Sequence, residues 1–171
     1  LAKIAHHLGI KIIYYISPQI WAWKKGRIHT IKKYVDHMAV ILPFEVDVYR
    51  QANIKTSYVG HPLTDLVKAD QSPTAFKQQH HIPKNKRIIS ILPGSRRHEI
   101  ERLLPPMLTS AKQLCQQYPD LHFLLPVAST IDLAQIDAYL EKVTLPITII
   151  TDQVYNALHC SHSAIVCSGT V

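Results

Sequence analysis

A turn rich in small and basic residues joins a predicted strand to a predicted helix in the second half of the chain. Its sequence is Ile91-Leu-Pro-Gly-Ser-Arg-Arg-His-Glu-Ile-Glu101. Gly94 allows close approach of a ligand to the backbone, and the first amides of a helix favour an anion at this point. Ser95 is the expected helix cap, Glu99 suits the helix dipole, and Arg96 adds a fork of donors for phosphate oxygens. The turn indicates either a phosphate site or an ordinary capped helix with solvated arginines.

A second turn of small residues, Cys167-Ser-Gly-Thr170, directly follows another apolar run. Ligands of open parallel sheets bind beyond the carboxyl ends of the strands, so we expect both turns to lie on one edge. Ser168, Gly169 and Thr170 are therefore candidates for holding the same ligand as the first turn. Either turn alone would be weak evidence, because small residues often follow strands.

Two tryptophans lie beside a basic cluster in Ser17-Pro-Gln-Ile-Trp-Ala-Trp-Lys-Lys-Gly-Arg27. We expect a helix over residues 20–34, with a basic face opposite an apolar one. The basic face would contain Lys25, His29, Lys32 and Lys33, and the apolar face Ile28, Ile31 and Val35. Such a basic face beside Trp suits an anionic membrane surface or a phosphorylated lipid. The alternative is a solvated helix face with Trp21 packed in the core.

Histidine and cysteine give weaker signals. His61, in Val59-Gly-His-Pro62, follows a predicted strand and either faces a cleft between two domains or has a structural role. The histidines show no recognisable zinc spacing, so we predict no metal. Cys115, Cys160 and Cys167 form no CxxC pair, and we expect three buried, inert thiols in a reducing compartment.

The elements that must position these residues alternate between short apolar runs and helical patterns. The predicted strands are residues 11–16, 36–42, 56–59, 87–92, 121–125, 147–150 and 164–167. They lack an alternating polar face, which favours parallel sheets covered on both sides.

The helix after Leu92 has a complete apolar stripe from Ile100 to Cys115, interrupted by Pro105-Pro106, where we expect a kink or the start of a second helix. The polar residues 63–73 are predicted to be a linker.

Composition narrows the class of protein. The chain has 171 residues, 47% hydrophobic and 18% charged, which excludes a disordered chain. Its longest apolar run, residues 38–44, is too short to cross a bilayer. It starts with Leu1 and stops just after the second turn, so we expect an internal piece of a longer protein.

The positive charge is concentrated in the first part of the chain. Residues 1–68 contain ten Lys and Arg against four Asp and Glu, whereas residues 69–171 contain nine against eight. The net charge of +7 therefore divides as +6 and +1. A surface that basic attracts phosphate in nucleic acid, anionic lipid or a phosphorylated substrate, and charge alone does not choose among them.

Five segments taken together resemble the lipid-A-disaccharide synthase family in order and spacing. They are Tyr15-Ile-Ser-Pro-Gln-Ile-Trp-Ala-Trp23, Leu42-Pro-Phe-Glu45, Val59-Gly-His-Pro62, Leu92-Pro-Gly-Ser-Arg96 with Glu99 and Glu101, and Ser168-Gly-Thr170. The resemblance implies an α/β protein with two Rossmann-like parallel-sheet domains, the GT-B architecture, both only partly present. Residues 1–62 would be the latter part of an acceptor-side domain, residues 63–73 the linker, and residues 74–171 the first part of a UDP-sugar-binding domain.

The resemblance also implies an activity. Such enzymes transfer 2,3-diacylglucosamine from its UDP derivative to 2,3-diacylglucosamine 1-phosphate, with inversion and without metal or cofactor. Arg96 would stabilise the departing UDP. The nucleotide-binding residues would be Gly94, Ser95, Arg96, Glu99, Ser168, Gly169 and Thr170, and the acceptor or membrane side would contain Trp21, Trp23, Lys24, Lys25 and His61. The family's proposed base, an aspartate, would precede Leu1, so we expect these 171 residues alone to be inactive.

The expected partners are acylated sugars and an anionic membrane surface, at the cytoplasmic face of the inner membrane of a Gram-negative bacterium, without nucleic acid. Two alternatives stay open. One is another UDP-sugar enzyme of the same fold, either a different transferase or an epimerase, against which the paired tryptophans argue. The other is a basic, non-enzymatic nucleic-acid-binding module, which needs exposed aromatic residues interleaved with basic ones.

Overall fold

A computed structural model describes residues 1–167, and the chain divides into two compact units, Leu1–Val67 and Lys68–Val171. The division falls inside the segment 63–73 that the sequence predicts as a linker. Part of that segment is helical, however, because Leu63–Leu66 form a short helix and Pro73 begins the next one.

The first unit is a parallel three-stranded sheet with helices between its strands. In chain order its elements are α1 (Ala2–His7), β1 (Ile13–Tyr15), α2 (Arg27–Tyr34), β2 (His37–Val40), α3 (Glu45–Arg50), β3 (Thr56–Tyr58) and α4 (Leu63–Leu66). The strand order is β1-β2-β3, and Met38 pairs with Tyr14 on one side and with Thr56 on the other. Ile20, Ile31, Met38 and Tyr49 are among the buried residues that form its core.

The second unit is a parallel four-stranded sheet. In chain order its elements are α5 (Pro73–Gln79), β4 (Arg87–Leu92), α6 (Arg97–Gln117), β5 (Leu121–Val127), α7 (Leu133–Leu140), β6 (Ile147–Thr151), α8 (Val154–Cys160) and β7 (Ser163–Val166). The strand order is β6-β5-β4-β7. The predicted α/β fold class with two Rossmann-like parallel sheets is confirmed.

Both faces of the second sheet are covered, as the uninterrupted apolar strands predict. Phe123 and Leu125 pack in one buried cluster with residues of α6, whereas Leu124 packs in another with Phe76 of α5 and Ala157 of α8. Successive residues of a strand point to opposite faces. Strand β5 therefore contributes to two cores at once.

Helix α6 confirms the apolar stripe. Of the two alternatives predicted for Pro105-Pro106, a kink or the start of a second helix, the second is wrong. It runs without interruption from Arg97 to Gln117 and contains both Pro105 and Pro106. The hydroxyls of Thr109 and Ser110 donate to the two proline carbonyls at 3.0 Å. Each proline lacks an amide, which removes two backbone hydrogen bonds from the preceding turn, and burial of the stripe outweighs this loss.

The helix predicted over residues 20–34 is wrong in its first part. Helix α2 begins only at Arg27, and residues 20–26 form turns. The cause is local: Lys24 adopts φ +56°, a left-handed conformation that a right-handed helix excludes. Lys25 therefore precedes the helix, whereas Ile31 is buried within it as expected.

None of the helices in residues 1–167 combines the length and apolar character that a membrane crossing requires.

Candidate functional site

An open pocket of about 530 Å³ lies at the carboxyl edge of the second sheet. All four strands contribute residues from their carboxyl ends or the loops that follow. These are Leu92, Gly94, Ser95, Arg96 and Glu99 after β4, Pro126–Ser129 at β5, Ile150, Asp152 and Val154 at β6, and Cys167 after β7. The volume is within the range of small-molecule sites, about 300–1,000 Å³.

The sheet topology explains why the pocket forms there. Strand β5 lies beside β4 and β6 lies beside β5, whereas β7, the next strand in the chain, lies on the other side of β4. The order of strands along the sheet therefore reverses between β4 and β7. This switch point is where open α/β sheets bind ligands, and nucleotides in particular.

Gly94 is required by the turn after β4. Its φ is +119°, which residues with a side chain rarely adopt. A Cβ added to Gly94 would lie 2.7 Å from the Cβ of Glu99. Only glycine fits here, and the backbone consequently passes close to the first turn of α6.

The Glu99 carboxylate caps helix α6, which corrects the expectation that Ser95 does so. The helix N-cap is Arg96, and Oε2 of Glu99 accepts hydrogen bonds from the amides of Ser95 at 2.9 Å and Arg96 at 3.1 Å. Its Oε1 accepts from Nη1 of Arg96 at 2.7 Å. The pKa of Glu99 is lowered, chiefly by the Ser95 amide. The Glu99 carboxylate therefore accepts hydrogen bonds from the helix N-terminal amides that we expected to bind phosphate.

Arg96 is the strongest remaining anion-binding group in the pocket. Its side chain is 71% exposed and donates one hydrogen bond to Glu99. A guanidinium has five N–H donors, so the others are open to a phosphate. Glu99 is placed to orient Arg96 and the turn, rather than to contact an anion, because two negative groups repel. The assignment of Gly94, Ser95 and Glu99 to nucleotide binding stays a prediction, and for Glu99 it would concern a part of the nucleotide other than the phosphates.

Sequence reasoning missed the contributions of two other strand ends. Ser129 follows β5 and Asp152 follows β6, and both line the pocket. Asp152 has φ +57°, a conformation that Asp tolerates better than most residues. Next to Ser129, the hydroxyl of Thr130 donates to the Ser95 carbonyl at 2.9 Å, which ties the two loops together. Their positions in the sequence could have indicated both residues, because each is a polar residue just after an apolar strand.

The predicted nucleotide-binding residues Ser168, Gly169 and Thr170 lie outside the described residues. Cys167, the residue before them, lines the pocket.

The tryptophans and lysines predicted for the acceptor or membrane side of the first unit are exposed. Trp23 is 72% exposed and Trp21 36%, so the alternative of Trp21 in the core is wrong. Lys24 and Lys25 are also exposed. Trp23, Lys24 and Arg27 line a second pocket of about 220 Å³ together with residues 18–20.

His61 has a structural role at the start of α4. Its Nδ1 accepts a hydrogen bond from the amide of Leu63 at 3.2 Å, and its carbonyl accepts one from the hydroxyl of Thr64 at 2.6 Å. The ring thus closes the turn that leads into the short helix.

In residues 1–167 no group of three or more His, Cys, Asp or Glu side chains is placed to hold a metal ion. The three cysteines are unpaired thiols, but only Cys160 is buried, and Cys115 and Cys167 are half-buried. The expectation of three buried thiols is therefore wrong. Burial raises the pKa of Cys115 and Cys160, which keeps these two thiols protonated and unreactive at neutral pH.

Comparison with known proteins identifies the family. The model of the lipid-A-disaccharide synthetase family matches residues 1–171. The chain belongs to this family. It is 46% identical to the lipid-A-disaccharide synthase of Trichlorobacter lovleyi, with 100% of the chain covering 45% of that protein. It is 42% identical to the synthase of Geobacter sulfurreducens (100% of the chain, 44% of the relative), and 46% identical to lipid-A-disaccharide synthase 1 of Legionella pneumophila (99% and 44%).

The chain therefore spans less than half the length of the curated relatives it matches. Its family membership confirms the resemblance of the five segments and disfavours the epimerase alternative.

Proposed function

We propose that the intact protein carrying this chain is a glycosyltransferase of lipid A biosynthesis. It transfers 2,3-diacylglucosamine from the UDP derivative to 2,3-diacylglucosamine 1-phosphate and releases UDP. The observation that carries the proposal is the family match over all 171 residues. The pocket at the switch point of the second sheet supports it.

The residues of the pocket support the departure of UDP. When the bond between the sugar and the diphosphate breaks, negative charge develops on the leaving oxygen. A fixed guanidinium at this point lowers the barrier by stabilising that charge. Arg96 is held by Glu99 at 2.7 Å in the pocket and presents its other donors to solvent, where a diphosphate would enter.

The acceptor hydroxyl also needs a base. We assign this role to no residue of the pocket. We propose that the acceptor hydroxyl is deprotonated by a residue in another part of the intact protein.

The activity is tested with the intact protein and both acylated substrates. Mass spectrometry is expected to detect the tetra-acylated disaccharide 1-phosphate, with one UDP released per product. UDP-N-acetylglucosamine as donor is expected to give no product, because it lacks the acyl chains. Conversion of that unacylated donor, or salt-sensitive RNA binding without UDP binding, would contradict the proposal. Residues 1–171 alone are expected to release no UDP.

We propose peripheral binding at the inner face of the inner membrane, and the exposed aromatic and basic residues of the first unit support contact with an anionic membrane surface. Trp23 is an exposed indole beside Lys24 and Lys25, a combination that suits the interface of an anionic bilayer. Each cation near such a surface contributes about 1 kcal/mol at physiological salt.

Vesicle sedimentation measures this contact. We expect the intact protein to bind phosphatidylglycerol vesicles, and the variant with Trp23→Ala, Lys24→Ala and Lys25→Ala to bind at least about tenfold more weakly. The matched control replaces Lys84, an exposed lysine of the second unit, with Ala and is expected to bind normally. Equal binding to neutral phosphatidylcholine vesicles would show that charge does not direct the contact.

A further inference from the structure

A buried carboxylate holds together two of the family segments in the first unit. Glu45, the first residue of α3, is 1% exposed. Its Oε1 accepts hydrogen bonds from the hydroxyl of Ser17 at 2.6 Å and the indole Nε1 of Trp21 at 3.3 Å. Its Oε2 accepts one from the amide of Leu42 at 3.1 Å.

These contacts lie at the carboxyl edge of the first sheet. Ser17 follows β1 and Leu42 follows β2, and this is the edge at which parallel sheets bind ligands. The same helix fixes the chain at a second point, because the hydroxyl of Tyr49 donates to the carbonyl of Pro18 at 3.1 Å. The segment 17–23 has no regular helix or strand of its own, so α3 determines its path.

The segment fixed in this way presents aromatic surface to solvent. The Trp21 ring packs edge-on against Phe44, with ring centroids 5.0 Å apart, and both rings are partly exposed, at 36% and 48%. Trp23 is more exposed still, and the neighbouring pocket contains the cations Lys24 and Arg27. Aromatic surface beside cations fits a ligand that is both apolar and anionic.

The chemistry of the contact requires a carboxylate. Both oxygens of Glu45 accept, and two of the three donors, the Trp21 indole and the Leu42 amide, cannot act as acceptors. A glutamine would place its NH₂ against one of these donors whichever way it turned. One partly buried donor would then lose its partner, and the segment would shift.

We propose that Glu45 is a positioning residue that holds segment 17–23 in the geometry that binds the acylated, phosphorylated acceptor. Glu45 does not contact the acceptor itself, since it is buried. The inference rests on the proposed function and goes beyond it in assigning acceptor affinity to a contact between α3 and the end of β1.

Steady-state kinetics of the intact protein test this assignment. Glu45→Gln is expected to raise the KM for the acceptor at least about tenfold, the equivalent of one lost hydrogen bond to a charged group. The KM for the UDP-sugar and the kcat at saturating acceptor should stay within about twofold, because the contact is far in sequence from the Gly94 turn and is not made to the reacting groups. Acrylamide quenching of tryptophan fluorescence should increase as Trp21 is released.

Two further variants sharpen the test. Asp47→Asn makes the same carboxylate-to-amide change at an exposed position of α3 and should leave both KM values unchanged. Trp21→Phe keeps a ring and removes only the N–H donor, so it should raise the acceptor KM by about threefold and remains informative if Glu45→Gln does not fold. In the double variant, Glu45→Gln with Trp21→Phe, the two effects on the acceptor KM should not add, because both substitutions disrupt the same contact.

The two proposals fail in different ways. Wild-type protein that makes no disaccharide contradicts the proposed function. An active wild type whose Glu45→Gln variant keeps its acceptor KM, or loses kcat and both KM values together with thermal stability, contradicts the assignment of Glu45.

Discussion

Arg96→Ala is expected to lower the kcat of the intact protein for UDP release by about 100- to 1,000-fold, the usual effect of removing one preorganised donor from a developing negative charge. Arg96 is the arginine that lines the pocket, and Glu99 aligns it through a 2.7 Å ion pair. The measurement is a steady-state assay of UDP release with both substrates at saturation. Folding should be unaffected, because the side chain is 71% exposed and its ion pair contributes little to stability.

The neighbouring arginine provides a matched control. Arg97 is 82% exposed and pairs with Glu101 at 2.8 Å on the surface of α6, and it does not line the pocket. Arg97→Ala should therefore keep a near-normal rate. Arg96→Lys should fall between the wild type and Arg96→Ala, because an ammonium keeps the charge but lacks the planar fork. A near-normal rate for Arg96→Ala would remove this residue from the mechanism.

Gly94→Ala is expected to weaken UDP binding more than tenfold and to destabilise the second unit. An alanine at φ +119° costs about 1–3 kcal/mol in backbone strain. The new Cβ would also lie 2.7 Å from the Cβ of Glu99, so the turn or the carboxylate must move. Since Glu99 aligns Arg96, the displacement would reach the anion-binding group. Calorimetric titration with UDP and thermal unfolding measure the two effects.

Substitutions at two other glycines separate the effect of backbone strain from that of the close contact with Glu99. Gly60 has φ +81° but open space around its Cβ position, so Gly60→Ala adds strain without a close contact. Gly26 is N-cap of α2 with φ −60° and open space, so Gly26→Ala adds neither. Gly94→Ala should be the only one of the three to weaken UDP binding. Equal UDP affinity in all three variants would show that the packing of Gly94 on Glu99 does not shape the site.

The strands of the second unit were predictable because they are short apolar runs with sharp ends. Residues 87–92 are predicted and observed as β4, and the apolar stripe of α6 is buried as its spacing indicates. The helix predicted over residues 20–34 failed because a single residue, Lys24, adopts a left-handed conformation. Hydrophobic periodicity carries no information on such a local reversal.

The site was predictable only in part, because some of its contacts join residues that are distant in sequence. Gly94 and Arg96 stand out because a strand, a glycine and a helix follow one another directly in sequence. The capping role of Glu99 was not predicted, because side-chain hydrogen bonds compete within one turn and Ser95 is the more usual cap. Asp152 and the buried contacts of Glu45 depend on residues brought together across the sheet, which sequence spacing alone does not reveal.

The Gly94–Arg96 turn is proposed to hold the diphosphate of a UDP-sugar, and a crystal structure of the intact protein with UDP would show the contact. We expect a diphosphate oxygen within hydrogen-bond distance of the Arg96 guanidinium, in the pocket at the carboxyl ends of β4, β5 and β6. The Glu99 carboxylate should still accept a hydrogen bond from the Ser95 amide. A diphosphate bound away from this turn, with Arg96 paired only to Glu99, would contradict it.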